Sequence, residues 1–173
     1  MKRRFTQALL KLHQARTIDT PTPPLLALHQ ESYHHIANMI SDITRPFKNV
    51  CIHGRHADLA LQLLAEHNRK FKVEEKDCNV TVVDMVRNPA HEELFEKRRV
   101  REVRYMETAD MWLPEEDRFD LLISCLHSHH ANSEQELLRR YHRTLQPDGA
   151  LVGCSLVEGT LHELYWAYLM AEN

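Results

Sequence analysis

The chain has 173 residues, enough for one domain with a hydrophobic core. Its hydrophobic content of 43%, charged content of 27% and net charge of −3 are ordinary for a globular protein and give no general case for a nucleic acid or membrane partner. No apolar run is long enough to cross a membrane. The four cysteines lack the paired spacing of a metal site, so we expect buried free thiols in a reducing compartment.

The N-terminus predicts a basic amphipathic helix over residues 1–19. Phe5, Leu9 and Leu12 share one helical face, and no acidic residue precedes Asp19. This composition is typical of a mitochondrial transit peptide, although an ordinary basic helix of the mature protein has the same pattern. We therefore separate this helix from a second unit, residues 20–173, that holds the remaining elements.

The first half of that second unit predicts alternating helices and strands. A stiff proline-rich linker at 20–24 leads into a helix over 25–43. The predicted inner face of this helix consists of Leu28, Tyr33, Ile36, Ala37, Ile40 and Ile43. Three strands then alternate with two helices, at 49–53, 57–68, 79–84, 91–101 and 103–107.

The second half predicts a strand, a helix and another strand. A buried strand begins at Phe119, and the helix after it places Leu137 and Tyr141 on one side. Residues 146–149 contain Pro and Gly, so we expect a turn there and a new strand from Ala150. Strands joined through a helix run parallel, which predicts a parallel sheet. A last helix is predicted over 160–171.

Two short segments resemble class I S-adenosylmethionine-dependent methyltransferases. Phe119-Asp120-Leu121 and Leu145-Gln146-Pro147-Asp148-Gly149 match the FDL and LKPDG signposts of that superfamily. Within it, residues 126–132 and 159–164 resemble a narrower group. That group contains mitochondrial complex I assembly factors of methyltransferase type and biotin-pathway carboxyl methyltransferases. The resemblance covers about the last third of the chain.

The resemblance implies an α/β fold, a Rossmann-like doubly wound parallel sheet with strand order 3-2-1-4-5. In the resembled fold a sixth and a seventh strand follow, and we expect neither before Asn173. Strand five would then lie at an edge that needs a cover, and we expect another protein to provide it. The predicted partner-binding residues are in the last helix: Trp166, Tyr168 and Leu169.

The cofactor turn is the largest departure from the resembled superfamily. Its first turn reads acid-x-Gly-x-Gly, whereas here Gly54 is followed by Arg55 and His56, and the acid is missing. We therefore expect no useful binding of S-adenosylmethionine. If the site is retained, the resemblance implies the following cofactor-binding residues: Gly54, Asp84, Asp110 and Leu126. Asp84 is equally well explained as a turn aspartate, since Arg87-Asn88-Pro89 follows it.

Histidines follow two strands that should be neighbours. His53 and His56 follow the first strand, and His127 and His129 follow the fourth, so the two groups could face each other. Imidazoles in this arrangement could hold Zn²⁺. Loop and cap histidines that happen to lie close together explain the pattern more simply, so we expect no metal.

One basic segment is a candidate RNA contact, through Arg98, Arg99 and Arg101. A solvated helix face explains it equally well, because acidic residues lie nearby and no aromatic residues are interleaved with the arginines.

The features together predict a catalytically degenerate methyltransferase-like scaffold or assembly factor. The predicted setting is a multiprotein complex of the mitochondrial matrix, either respiratory complex I or the mitochondrial ribosome during biogenesis. The alternative is an active S-adenosylmethionine-dependent methyltransferase or hydroxylase that acts on a protein subunit. The altered first turn favours the scaffold.

Overall fold

A computed structural model describes residues 23–106 and 116–157. Three predicted features lie outside these residues: the basic helix at 1–19, Asp110, and the last helix with Trp166, Tyr168 and Leu169. No helix in the described ranges is long and apolar enough to cross a membrane.

Helices and strands alternate along the described chain. In order they are α1 (Pro23–Ser41), β1 (Asn49–Gly54), α2 (Ala57–Arg69), β2 (Asn79–Asp84), α3 (Pro89–Lys97), β3 (Glu102–Tyr105), β4 (Phe119–Cys125), α4 (Glu134–Thr144) and β5 (Leu145–Cys154). Short 3-10 turns lie at Glu75–Asp77 and Ser128–His130.

The strands form one parallel sheet in the order β3-β2-β1-β4-β5, which confirms the predicted topology. Apolar side chains cover both faces of its centre. Val50 and Ile52 of β1 pack beneath the helices of one face, whereas Cys51 belongs to the core of the other face. Leu137 and Tyr141 of α4 cover that second face. Burial on both faces explains why these strands are continuous apolar runs.

The buried face of α1 differs from the prediction at Leu28, and the predicted Ile43 lies beyond the end of the helix at Ser41. Tyr33, Ile36 and Ile40 are buried as expected, but Leu28 is 43% exposed and His29 is buried instead. The reason is helical spacing, because His29 lies four residues before Tyr33 and so shares its face. The helix begins at Pro23, where proline fits the first turn.

The predicted turn at 146–149 lies within β5. Phe119 pairs with Leu145, but Leu121 pairs with Ala150, so the extra residues bulge out of the ladder. Asp148 takes a left-handed φ of 67° there. The prediction was wrong to begin the strand at Ala150, because Leu145 already pairs with Phe119 before the bulge and the ladder resumes after it.

The helix α3 is shorter than the predicted 91–101. Arg99 takes a left-handed φ of 55°, which ends the helical path after Lys97. Arg98 forms an ion pair with Glu75, while Arg99 and Arg101 are exposed. RNA binding through these arginines stays a prediction.

The cysteines confirm the expectation of free thiols. Cys51, Cys78 and Cys125 are buried and Cys154 is half-buried, and each is free.

We predict that Gly153→Ala lowers the free energy of unfolding by about 3 kcal/mol, because overpacking forces the backbone to shift. A Cβ at Gly153 would lie 2.3 Å from the Ser124 carbonyl oxygen, a contact that no rotamer change relieves. Urea denaturation followed by circular dichroism measures the loss. Gln135→Ala on the exposed face of α4 is the control and should change stability by less than about 0.5 kcal/mol. Equal stability of the two variants would show that β4 and β5 are not packed this closely.

Candidate functional site at the switch point of the sheet

The carboxyl ends of β1 and β4 lie side by side, with Gly54 paired to Cys125. Gly54 has a φ of +125°, and a Cβ on it would lie 2.8 Å from the Cys125 carbonyl oxygen. Only glycine fits both the conformation and the contact. This is the point at which open α/β sheets bind ligands, and it brings the turns after both strands together.

The turn after β1 leads directly into α2. His56 is the N-cap of that helix, in the left-handed region (φ 56°, ψ 44°), and its side chain makes no capping hydrogen bond. A non-glycine residue pays roughly 1–2 kcal/mol for this conformation. The backbone therefore follows a path that suits glycine although the sequence supplies histidine.

His56 faces α1 rather than the turn after β4. Its ring lies 4.4 Å from the ring of His29, which is 4% exposed. The Tyr33 hydroxyl on the same helix donates a hydrogen bond to the Arg55 carbonyl, at 3.0 Å. These contacts hold the turn against α1.

A second group of polar side chains lies on the α4 face of the sheet. The His53 Nδ1 is 2.6 Å from the Tyr141 hydroxyl, and that hydroxyl is 3.3 Å from the Ser124 hydroxyl. The rings of His53 and His127 are 3.9 Å apart. His53, His127 and Tyr141 are almost fully buried, so the hydrogen bond between the His53 ring and the Tyr141 hydroxyl is shielded from water.

Burial keeps the histidines around the carboxyl ends of β1 and β4 neutral. Burial lowers the pKa of His53 to about 3. Burial, helped by neighbouring imidazoles and Arg55, lowers the pKa of His29 and of His130 to about 4. The pKa values of His56, His127 and His129 are also lowered, in each case mainly by burial. The site is therefore lined by uncharged rings at neutral pH.

Asp84 ends β2 on the same side of the sheet. Its Oδ1 accepts a hydrogen bond from the Met85 N–H at 2.6 Å and a longer one from Val86 at 3.4 Å. Burial raises the pKa of Asp84 to about 6, while the Met85 N–H and the charge of Arg55 oppose the rise. Arg55 is itself half-buried, and burial lowers the pKa of its guanidinium while the charge of Asp84 opposes the fall. Leu126, after β4, takes a left-handed φ of 47°.

The predicted metal set is divided into separate contacts. His53 meets His127, His56 meets His29, and the His129 ring lies 4.0 Å from His130. Within residues 23–106 and 116–157, no three His, Cys, Asp or Glu side chains could hold a metal ion together. The His29 Nδ1 and His127 Nε2 are buried and have no hydrogen-bond partner among the described residues.

A groove of about 300 Å³ lies beside this site, between α4 and β5. Its lining includes Leu138, Leu151 and Gly153. At one end the Ser128 hydroxyl donates to Glu134 at 2.9 Å and lies 2.8 Å from the Ser155 hydroxyl. The groove is thus lined by apolar side chains together with a carboxylate and serine hydroxyls.

Sequence reasoning did not select His29 or Tyr141 as site residues. Both had a signal. His29 shares the buried face of its helix with Tyr33, and Tyr141 was placed on the inner side of α4. A polar ring at an inward position is the pattern that could have identified them.

We predict that acid destabilises the protein. Each histidine whose folded pKa is depressed stabilises the fold above pH 6.5, and this stability is lost by up to ~1.4 kcal/mol per pH unit as the pH falls below that value. Asp84 acts in the opposite sense, because its raised pKa favours folding as the pH falls from about 6 towards 4. One carboxyl group opposes six histidines, so the net effect of acid is a loss of stability.

Urea denaturation at pH 7.5, 6.5 and 5.5 measures this loss. His29→Gln should make the dependence on pH shallower, because it removes one depressed titration. His34→Gln on the exposed face of the same helix is the matched control. The same pH dependence in both variants would contradict the role of burial at His29.

A family model described as methyltransferase domain matches residues 57–153 of the chain. Among curated proteins, the chain is 39% identical over 57 residues to "Arginine-hydroxylase NDUFAF5, mitochondrial" of Danio rerio. That alignment covers 33% of this chain and 18% of the relative, so the chain spans only a small part of the relative's length.

Solved methyltransferases share the fold. The 1,6-didemethyltoxoflavin-N1-methyltransferase of Burkholderia thailandensis, solved with S-adenosylhomocysteine, aligns with a TM-score of 0.61 and 22% identity over 88% of this chain and 64% of its own. Phosphoethanolamine N-methyltransferase 1 of Haemonchus contortus gives 0.60 and 17% over 87% of this chain and 32% of its own. The family model matches more than half of the chain, and the sheet has the strand order of that fold. The chain therefore belongs to the methyltransferase domain family and has the class I S-adenosylmethionine-dependent methyltransferase fold.

Proposed function

We propose that this chain acts as a methyltransferase-like scaffold or assembly factor in mitochondria and does not transfer methyl groups. The observation that carries the proposal is the turn after β1, where Arg55 and His56 stand in place of small residues. The backbone path of the turn resembles one built for glycine, but its side chains are large.

The fit of S-adenosylmethionine to this turn supports the proposal. In the resembled superfamily an acid after the second strand binds the ribose hydroxyls, and Asp84 occupies that place. Here the Asp84 Oδ1 accepts backbone N–H groups and the Arg55 guanidinium stands nearby. His56 fills the space between the turn and His29. The described residues therefore do not fit the cofactor, and we derive no step through it.

The mitochondrial setting is supported by the relative. Its name places it in mitochondria, and the resembled group contains assembly factors of respiratory complex I. A scaffold in complex I assembly is therefore the first candidate. Biogenesis of the mitochondrial ribosome is the second, because the exposed Arg99 and Arg101 leave room for an RNA contact.

An active enzyme is the alternative function. Gly54 keeps the close approach to Cys125, and His56 keeps the left-handed backbone, so the path of the cofactor turn survives. The relative is called an arginine hydroxylase, which makes a hydroxylase or methyltransferase acting on a protein subunit the natural form of this alternative.

We predict that isothermal titration of the wild-type chain with S-adenosylmethionine gives no dissociation constant below about 1 mM, the weak end of the range of working enzyme sites. Replacing both Arg55 and His56 with glycine should strengthen binding by about tenfold or more, because it reopens the turn and removes the strain at position 56. A dissociation constant in the low micromolar range for the wild type would support the active enzyme instead.

Arg99→Gly is the matched control for this experiment. Arg99 also has a left-handed backbone, with a φ of 55°, but it is exposed at the end of α3. The substitution therefore relieves the same kind of strain away from the switch point. Stronger cofactor binding in the Arg99→Gly variant would attribute the gain to general stabilisation rather than to the turn.

Location is tested separately with a C-terminal fluorescent fusion of the full chain. We predict that changing Lys2, Arg3 and Arg4 to glutamate moves the fusion from mitochondria to the cytosol, since targeting helices are basic. Changing the exposed Lys70 and Lys72 to glutamate should leave the location unchanged. Mitochondrial import of the first variant would show that these three residues belong to the mature protein rather than to a targeting segment.

A further inference from the structure

We propose that Cys125 and Cys154 form a reversible oxidation site, in which a peroxide converts their two thiols to a disulfide and weakens the contact of α1 with the sheet. The inference goes beyond the proposed scaffold function and does not depend on it. It rests on the register of β4 and β5, on the burial of the two thiols and on the residue of α1 that both thiols contact.

The two cysteines lie directly opposite each other in neighbouring strands. Cys125 ends β4, Cys154 ends β5, and the two residues are partners in the parallel ladder. Neighbouring strands are about 4.8 Å apart, which lies inside the range of roughly 4.4–6.8 Å between the Cα atoms of a disulfide. The Leu126 N–H donates to the Cys154 carbonyl at 2.8 Å, so the ladder is closed beside the pair. A disulfide at this position therefore needs no change of register.

Both thiols lie on the face of the sheet that α1 covers. Cys125 belongs to the buried core of that face, and Cys154 packs against the same core. The Cys154 thiol donates to the Ser32 carbonyl at 3.5 Å, and the Cys125 thiol forms hydrogen bonds with the Ser32 and Tyr33 side chains. The two sulfur atoms therefore converge on Ser32 of α1.

The other two cysteines of the chain are placed differently. Cys51 in β1 lies opposite Thr81 and Leu122 and belongs to the core of the other face. The Cys78 sulfur accepts a hydrogen bond from the Asn68 amide at 3.1 Å, at the amino end of β2. Of the four cysteines, only Cys125 and Cys154 are paired across neighbouring strands.

Exposure sets the order of the chemical steps. Cys154 is half-buried whereas Cys125 is 1% exposed, so a peroxide reaches Cys154 first. The Cys154 sulfur attacks one oxygen of hydrogen peroxide, the O–O bond breaks, and a sulfenic acid and one water form. The Cys125 sulfur then attacks the sulfenic sulfur, and the S–S bond forms as a second water leaves. Two thiols are oxidised by two electrons, and the peroxide is reduced to water.

The geometry predicts a disulfide that is easily reduced. The Cβ atoms of a disulfide are only about 3.8 Å apart, so the ends of the two strands must move towards each other. Strain of this kind makes a disulfide more reducible, and labile disulfides are the ones that regulate. Both cysteines are the last residues of their strands, which confines the movement to the strand ends.

Oxidation removes hydrogen bonds between the sheet and α1. The Cys154 thiol loses the proton that it donates to the Ser32 carbonyl, and Cys125 loses its thiol proton as well. Thiols are weak donors, so the change is modest. Ile36 and Ile40 are 0% and 1% exposed and keep α1 on the sheet. The oxidation site therefore adjusts the packing of this helix without releasing it.

The test treats the full, reduced wild-type chain with hydrogen peroxide and maps the products by mass spectrometry. We expect the intact protein to lose two hydrogen atoms and a digest to contain one peptide that joins Cys125 to Cys154. Dithiothreitol should restore both thiols. A disulfide between two chains, a disulfide with Cys51 or Cys78, or oxidation of Cys154 to a sulfinic acid without a disulfide would overturn the proposal.

Cys154→Ser should slow the loss of the Cys125 thiol by at least about tenfold, because it removes the sulfur that meets the peroxide. Cys78→Ser is the matched control, since it removes a buried thiol from the same core away from the pair, and the disulfide should form at the wild-type rate. Peptide mapping of the wild type decides the same question if either variant fails to fold. Equal rates of Cys125 loss in Cys154→Ser and the wild type would contradict the site.

Amide hydrogen exchange measures the effect on α1. Amides of residues 32–40 should exchange about threefold faster in the oxidised protein, whereas amides of α4 should exchange at the same rate in both states. Unchanged exchange in α1 after the disulfide has formed would overturn the link to this helix. None of these outcomes depends on the cofactor titration, so the oxidation site and the scaffold function can fail separately.

Discussion

The carboxyl end of β4 is the constraint on which both candidate sites depend. Its two successive carbonyl groups point to opposite neighbours: a Cβ at Gly153 of β5 would lie 2.3 Å from the Ser124 oxygen, and one at Gly54 of β1 would lie 2.8 Å from the Cys125 oxygen. Glycine on each side allows the three strands to reach this point together. The turns that follow them therefore meet, and the side chains of those turns define the chemistry.

On the β1 side, burial determines the electrostatics. Six imidazoles lie around the switch point, and desolvation is the largest influence on the pKa of each. Neutral rings can pack against one another, as His53 and His127 do, without the repulsion that imidazolium ions would suffer. The remaining charges, Arg55 and Asp84, lie near each other and partly compensate. These contacts stabilise the turn within the protein. They also occupy polar groups that a bound ligand would otherwise contact.

Much of the fold could be predicted from sequence. Strands buried on both faces are short apolar runs, and the strand order followed from the resemblance of the FDL and LxPDG segments to the methyltransferase superfamily. The contact between His53 and His127 could be predicted, because these residues lie at the ends of neighbouring parallel strands. The contact of His56 with His29 could not, because it depends on the rotation of α1, where His29 rather than Leu28 faces inward. The bulge after Leu145 was also missed, since proline and glycine signal a turn whether or not the ladder resumes beyond it.

The two sides of β4 can change independently, and this bears on how a methyltransferase fold acquires another role. Substitutions in the turn after β1 alter the cofactor site, yet they leave Gly54 and the packing of the sheet in place. The groove on the β5 side is lined by Gly153 and by residues of α4, which lie outside that turn. Tyr141 links the sides by bonding to His53 while lining the groove. Fold stability therefore constrains the glycines and Tyr141 more strongly than the exposed Leu138 and Leu151, which line the groove.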